Sequence, residues 1–216
     1  MSIDSSLLER CEKRLLEGSK LLELCLSDLQ LQQLMDYLQL LHKWNRAYNL
    51  TAVRDPLQMV DRHLLDSLSV GAFIESSHII DVGTGPGLPG IPLSILYPQK
   101  SFALLDSNGK KTRFLQQVKM EQGLDNIQIY NGRVEAHHPQ RLYDEVISRA
   151  FASVLDMLKW THCICAEGGR FLAMKGVHPT EELQQLPAEY RLQDSHRLQV
   201  PGTDAERHLL VITKAC

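Results

Sequence analysis

His78-Ile79-Ile80-Asp81-Val82-Gly83-Thr84-Gly85-Pro86-Gly87-Leu88-Pro89-Gly90 is the stretch whose reading decides the fold. Ile79, Ile80 and Val82 are β-branched and form a short apolar run, the pattern of a central parallel strand. Asp81 interrupts the run near its end. Three glycines at alternate positions, Gly83, Gly85 and Gly87, then remove Cβ atoms where a ligand must approach the backbone. Pro89 stands where a helix is expected to begin, with its fixed φ and missing N–H. Strand, glycine turn and helix N-terminus make a nucleotide or nucleoside site.

The spacing narrows the ligand. In the dinucleotide fingerprint G-x-G-x-x-G the third glycine packs the helix on the strand. Gly83 and Gly85 fit that pattern, but Leu88 occupies the third position. About 20 residues further on, an acidic residue at the end of the second strand is expected to hold a ribose. Ser101-Phe102-Ala103-Leu104-Leu105-Asp106 supplies it in Asp106. A ribose-bearing ligand is supported and a pyrophosphate-bearing one is not.

Outward from this stretch, strands and helices alternate. Strands are expected at 78–83, 101–106, 127–131, 143–148 and 169–175, with helices at 88–97, 109–122, 152–165 and 179–186. That alternation predicts right-handed crossovers and a parallel sheet. The end differs. Strands at 190–200 and 206–214 are joined by Pro201-Gly202-Thr203-Asp204-Ala205 with no helix between, so they form an antiparallel hairpin. Before the sheet, Leu7, Leu8, Cys11, Leu15 and Leu16 mark an amphipathic helix that Gly18 is expected to end. Ser27 with Gln30 is a capping box, followed by the stripe Leu31, Leu34, Met35, Leu38 and Leu41. Asp55-Pro56 opens a third helix. Residues 1–70 are thus expected to form a helical cap on an α/β domain of residues 71–216.

Composition excludes several classes. No apolar run approaches the ~20 residues of a membrane span, and the polar N-terminus carries no signal peptide pattern. Five scattered cysteines argue for a reducing, cytoplasmic setting rather than a disulfide framework. Cys163 and Cys165 with His162 raise the question of metal; with no second pair, packing is the preferred reading and no metal is expected. A net charge of −3 does not announce a nucleic-acid binder, so RNA contact requires a local basic face.

Asp-Val-Gly-Thr-Gly-Pro-Gly resembles motif I of the class I S-adenosylmethionine-dependent methyltransferases. The longer run from Asp81 to Pro92, DVGTGPGLPGIP, resembles the ribosomal RNA small subunit methyltransferase G family, also called glucose-inhibited division protein B. Further segments match that family in order: His42-Lys43-Trp44-Asn45 with Tyr48-Asn49-Leu50-Thr51, Arg62-His63 with Asp66-Ser67, Arg133-Val134-Glu135, 147–152 as Ile-Ser-Arg-Ala-Phe-Ala, and Glu206-Arg207-His208. They cover roughly residues 40 to 210, while the first 25 match weakly. The resemblance implies a Rossmann-like sheet finished by an antiparallel hairpin. It implies methyl transfer from S-adenosylmethionine to N7 of guanine 527 in 16S ribosomal RNA, with S-adenosylhomocysteine as product. The substrate is RNA, free or in the small ribosomal subunit, and the enzyme is expected to be a monomer. Two competing readings are a class I methyltransferase on a small molecule and a non-catalytic ribosome-assembly factor.

The cofactor residues are expected to be Asp81, Gly83, Gly85, Gly87, Leu88 and Asp106. The resemblance adds Val134 and Glu135 at the adenine and Arg149 on the cofactor side of the site. Arg149 and Arg207 are the candidates for orienting the acceptor guanine. Several residues carry two readings. Arg149, at a strand end, is alternatively a salt bridge to Asp81 or Asp66. His63 and Asp66, i and i+3 on one helix, are either a general-base pair or structural, and the structural reading is preferred. Trp44 stacks a base or closes an apolar stripe, packing being preferred. Lys110, Lys111, Arg113 and Lys119, with Lys175, Arg207 and His208, are a phosphate-binding rim or a solvated face.

Overall fold

The computed structural model describes residues 3–215. Three N-terminal helices come first: α1 (Ser5–Leu21), α2 (Asp28–Tyr48) and α3, which runs from Pro56–Met59 through a π-helical stretch, Val60–Leu65, into Asp66–Leu68. There follow β1 (His78–Val82), α4 (Gly90–Leu96), β2 (Ser101–Asp106), α5 (Gly109–Gln122), β3 (Ile127–Asn131), β4 (Tyr143–Ser148), α6 (Val154–Thr161), β5 (Cys165–Lys175), α7 (Thr180–Gln184), β6 (Tyr190–Arg197) and β7 (His208–Lys214). The seven strands lie in the order β3-β2-β1-β4-β5-β7-β6. β1 to β5 are parallel, and β7 inserts antiparallel between β5 and β6.

The period of two along each strand builds two cores. Ile79, Phe102, Leu104, Ile147, Leu172 and Val211 face the side covered by α1 to α5. Their neighbours Ile80, Leu105, Val146, Phe171 and Ile212 face α6. The first core draws on Leu15, Leu38 and Leu65 as well as on the sheet, so residues on both sides of position 70 share one interior.

Several local expectations are corrected. Gly18 does not end α1, which runs to Leu21; Gly18 is buried inside it. A Cβ there would lie 2.7 Å from Leu65 Cδ2, so this glycine lets α1 approach α3. Pro89 is not the first helical residue. It precedes the helix, which starts at Gly90 and is shorter than the 88–97 expected. The helix expected over 152–165 spans only Val154–Thr161, because Ser153 Oγ accepts from the Asp156 amide and caps it there. β5 starts at Cys165, where it pairs with Tyr143, not at 169. The capping box is present: the Gln30 amide donates to Ser27 Oγ at 3.3 Å and the Ser27 amide donates to Gln30 Oε1 at 2.9 Å.

Candidate active site

Strand order reverses at β1, which lies between β2 and β4. In an open α/β sheet the crevice for ligand lies at the carboxyl ends of the strands at this point. The chain places a cavity of 180 Å³ there, walled by Val82, Gly83, Leu105, Asp106, Val134, Glu135, Phe151 and Trp160 among others. Its lining is largely apolar and aromatic and includes two carboxylates, Asp106 and Glu135.

Asp106 ends β2 and is buried. Its Oδ2 accepts from the Gly85 amide at 2.8 Å and its Oδ1 from the Asn108 amide at 2.8 Å. Lys111 Nζ stands 3.8 Å from Oδ2. The carboxylate therefore ties the glycine loop to the second strand and keeps lone pairs for a ligand hydroxyl. Val134 and Glu135 sit in a single helical turn after β3; Val134 is buried and Glu135 exposed at the rim.

The glycine loop divides into two functions. Gly83 and Gly85 have φ of +70° and +64°, which a side chain would strain. A Cβ on Gly83 would lie 2.6 Å from Ala150 Cβ, closing the loop against the segment after β4. Of the loop, Gly83 walls the cavity, while Gly85, Gly87 and Leu88 do not. Gly87, at φ +104°, packs toward Ile91 and Leu115, and Leu88 is buried in the core under α4. The glycine that seats the helix on the strands is Gly90, where a Cβ would lie 2.9 Å from Asp81 Oδ2 and collide with Leu104. The alternate-glycine pattern hid it, because it falls two residues past the fingerprint position.

Asp81 is fully buried beneath the loop rather than in the cavity wall. Its Oδ2 accepts from Thr84 Oγ1 at 2.6 Å and from the Gly90 amide at 2.8 Å, while Oδ1 has no partner among the described residues. Burial pushes its pKa up to about 6, against the lowering effect of those two hydrogen bonds.

Arg149 makes its bond to Asp66, not to Asp81. Its Nη1 donates to Asp66 Oδ2 at 2.7 Å and to the Arg62 carbonyl at 3.2 Å. Arg207 Nε donates to the other oxygen, Asp66 Oδ1, at 2.7 Å. Among the described residues no hydrogen bond joins His63 to Asp66. His63 bonds Thr51 Oγ1 through Nε2 at 2.8 Å and the Arg62 carbonyl through Nδ1 at 3.0 Å. Burial, with the charge of Arg149, lowers its pKa to about 4, so the ring is neutral, donates from Nδ1 and accepts from Thr51. The two residues therefore form no pair in either reading: His63 is committed to Thr51 and Arg62, and Asp66 to Arg149 and Arg207.

Trp44 packs against Tyr48 and Phe114, with centroids 5.1 and 5.6 Å away, so it belongs to the helix interface. Lys119 donates to the Ile127 carbonyl at 2.6 Å, whereas Lys110 and Arg113 are exposed. Cys165 is buried and Cys163 exposed, and His162 Nδ1 bonds the Tyr190 hydroxyl. Phe151 and Trp160, edge to face at 6.5 Å, are site residues not singled out from the sequence. No spacing along the chain marked them; that Trp160 stays 38% exposed on α6 is set only by the fold.

A family model described as rRNA small subunit methyltransferase G matches residues 30–210. The chain is 56% identical over 198 residues to the ribosomal RNA small subunit methyltransferase G of Marinomonas sp. (strain MWYL1), covering 92% of this chain and 95% of that one. It is 51% identical over 212 residues to the protein of that name from Ectopseudomonas mendocina (strain ymp), covering 97% and 99%. Among solved structures it is similar to TrmN from Thermus thermophilus, at a TM-score of 0.54 and 16% identity, over 81% of this chain and 53% of that one. It is also similar to the O-methyltransferase NcsB1 in complex with S-adenosylmethionine, at a TM-score of 0.56 and 16% identity, over 74% and 58%. At those identities the structural likeness establishes a fold, that of the class I S-adenosylmethionine-dependent methyltransferases. The sequence likeness establishes more: the chain belongs to the rRNA small subunit methyltransferase G family.

Proposed function

We propose that this protein is a cytoplasmic, monomeric enzyme that transfers a methyl group from S-adenosylmethionine to N7 of guanine 527 in 16S ribosomal RNA, leaving S-adenosylhomocysteine. The observation that carries the cofactor assignment is the cavity at the switch point, with Asp106 joined to the Gly85 amide at its edge. The residues present fit the cofactor. Asp106 would accept from the ribose hydroxyls. Leu105, Val134, Phe151 and Trp160 offer a slot suited to a flat purine, with Glu135 at its rim. Gly83 leaves room for the sulfonium and its amino-acid chain, Gly85 is tied to Asp106 through its amide, and Asp81 braces the loop from below through Thr84 and Gly90.

When bound, S-adenosylmethionine supplies an electrophilic methyl on a sulfonium sulfur. Guanine N7 has an in-plane lone pair and no proton, so no side chain has to act as a base. A neutral His63 that spends both ring nitrogens on Thr51 and Arg62 suits that requirement. The protein's task is placement, and aligned reactants can account for ~7–11 kcal/mol of the barrier. Arg149 and Arg207 hold the base by donating to guanine O6. They must leave N7 open, unlike arginines in groove recognition, which use N7 and O6 together. Positive charge passes to the purine during transfer, and nearby carboxylates stabilise it.

The test is methyl transfer from labelled S-adenosylmethionine to small ribosomal subunits and to protein-free 16S RNA, both from cells lacking the enzyme. The label is mapped by cleavage specific for N7-methylguanine. One labelled guanine is expected. No label in either acceptor, with cofactor still bound, overturns the RNA assignment in favour of a small-molecule acceptor.

A further inference from the structure

A second cavity, of 390 Å³, lies on the far side of the segment that follows β4. The two cavities share this segment as an edge. Ala150 and Phe151 wall the cofactor cavity, whereas Arg149, one residue earlier, walls the second. Arg62, His63, Lys175 and Arg207 complete its polar lining. Lys175 Nζ anchors the segment from the second cavity, donating to the carbonyls of Phe151 at 3.1 Å and Ala152 at 2.7 Å.

Beneath this cavity Asp66 is fully buried and bonds one arginine with each carboxylate oxygen, both at 2.7 Å. The partners come from 83 and 141 residues further along the chain. An arginine has five N–H donors. Asp66, Arg62 and Glu206 occupy Nη1 of Arg149 and Nε and Nη1 of Arg207, so Nε and Nη2 of Arg149 and Nη2 of Arg207 have no protein acceptor among the described residues. The π-helical stretch of α3 widens the helix immediately before Asp66, and such distortions recur at functional sites.

We propose that this second cavity receives the acceptor base, and that Asp66 is the positioning residue that fixes the two arginines at it. The inference rests on the reading of the protein as an RNA methyltransferase and adds where the base sits and what aims its donors. Two effects of Asp66 follow. It locks both guanidinium planes, which long flexible side chains cannot do alone. It also halves their combined charge from two to one. A base that becomes positive during transfer is opposed by every unpaired cation beside it, so an extra charge penalises the transition state more than the ground state.

Asp66→Asn keeps the shape and removes the charge. We expect S-adenosylhomocysteine affinity by calorimetry to stay within about twofold of the parent. We expect kcat for methyl transfer to small subunits to fall at least about tenfold, with KM changing less, and Asp66→Glu to regain part of the rate. If Asp66→Asn does not fold, Arg207→Lys keeps the charge, loses the fork and is expected to show the same split. Unchanged turnover in these variants overturns the proposal. Equal losses of cofactor affinity and rate overturn it too, since they mark a merely structural role. A KM whose salt dependence weakens in Arg207→Gln, which removes the charge, overturns the base pocket in favour of a phosphate site. Failure of the underlying reading looks different, because the parent enzyme then labels no RNA at all.

Discussion

Two buried groups titrate over overlapping ranges with opposite signs. His63 has its pKa lowered from 6.5 to about 4, so the unfolded chain binds its proton first, and stability present above pH 6.5 is lost on acidification toward 4. Asp81 has its pKa raised from 3.8 to about 6, so its contribution is full below 3.8 and is lost as pH rises through 6. Denaturant unfolding at steps from pH 4 to 7 is expected to show a shallower acid loss in His63→Gln and a steeper one in Asp81→Asn. Gly90 makes a further prediction at this scale. Gly90→Ala pushes a methyl onto Asp81 and Leu104, costing about 1–3 kcal/mol in stability. It is also expected to weaken cofactor binding by calorimetry, because Asp81 then shifts under the loop. Glycine positions were legible in the sequence, but their division of labour was not. Gly83 meets Ala150 and Gly87 meets Leu115, residues 67 and 28 positions away, and spacing along the chain carries no trace of either.

Among the elements, α2 shows how a local signal acquires a distant consequence. Gln30 completes the capping box, as the sequence announces. Its Nε2 also donates to the carbonyls of Ile95 at 3.1 Å and Leu96 at 2.9 Å, closing the C-terminus of α4. Ser27→Ala is expected to cost about 1 kcal/mol, as for an ordinary N-cap. Gln30→Ala is expected to cost more, because it releases two carbonyls of another helix as well. Urea unfolding of the two single variants and the double variant measures the difference. α1 teaches the opposite lesson. Glycine is a poor helix former, and sequence logic ends a helix at Gly18. Close packing on Leu65 outweighs that propensity.

Across the whole molecule, a buried ion pair between β4 and the middle of β5 ties both strands to the loop before β1. Glu145 is fully buried and binds the Arg170 guanidinium. It also accepts from the amides of Glu75 and Ser76, both at 3.1 Å, while Arg170 donates to the Phe73 carbonyl at 2.8 Å. Removing Glu145 leaves the Arg170 guanidinium with Glu75, an exposed carboxylate 2.7 Å from Nη1, as its remaining ion-pair partner. Glu145→Ala is expected to cost about 3–5 kcal/mol by denaturant unfolding. The network lies at the sheet edge opposite the cofactor cavity, so S-adenosylhomocysteine affinity at a temperature where the variant is folded is expected to stay near the parent's.

The sequence by itself determined the sheet, the terminal hairpin, the glycine loop and Asp106, because each rests on periods of two, turn chemistry or fixed local spacing. It also carried the family, because motifs in order along a chain are a one-dimensional signal. Only the tertiary structure decided that Asp66 gathers Arg149 and Arg207, that His63 is neutral and committed to Thr51, and that Phe151 and Trp160 complete the cavity. Those contacts join residues far apart in the chain, and burial, which sets both the partners and the protonation states, exists only once the chain has closed on itself.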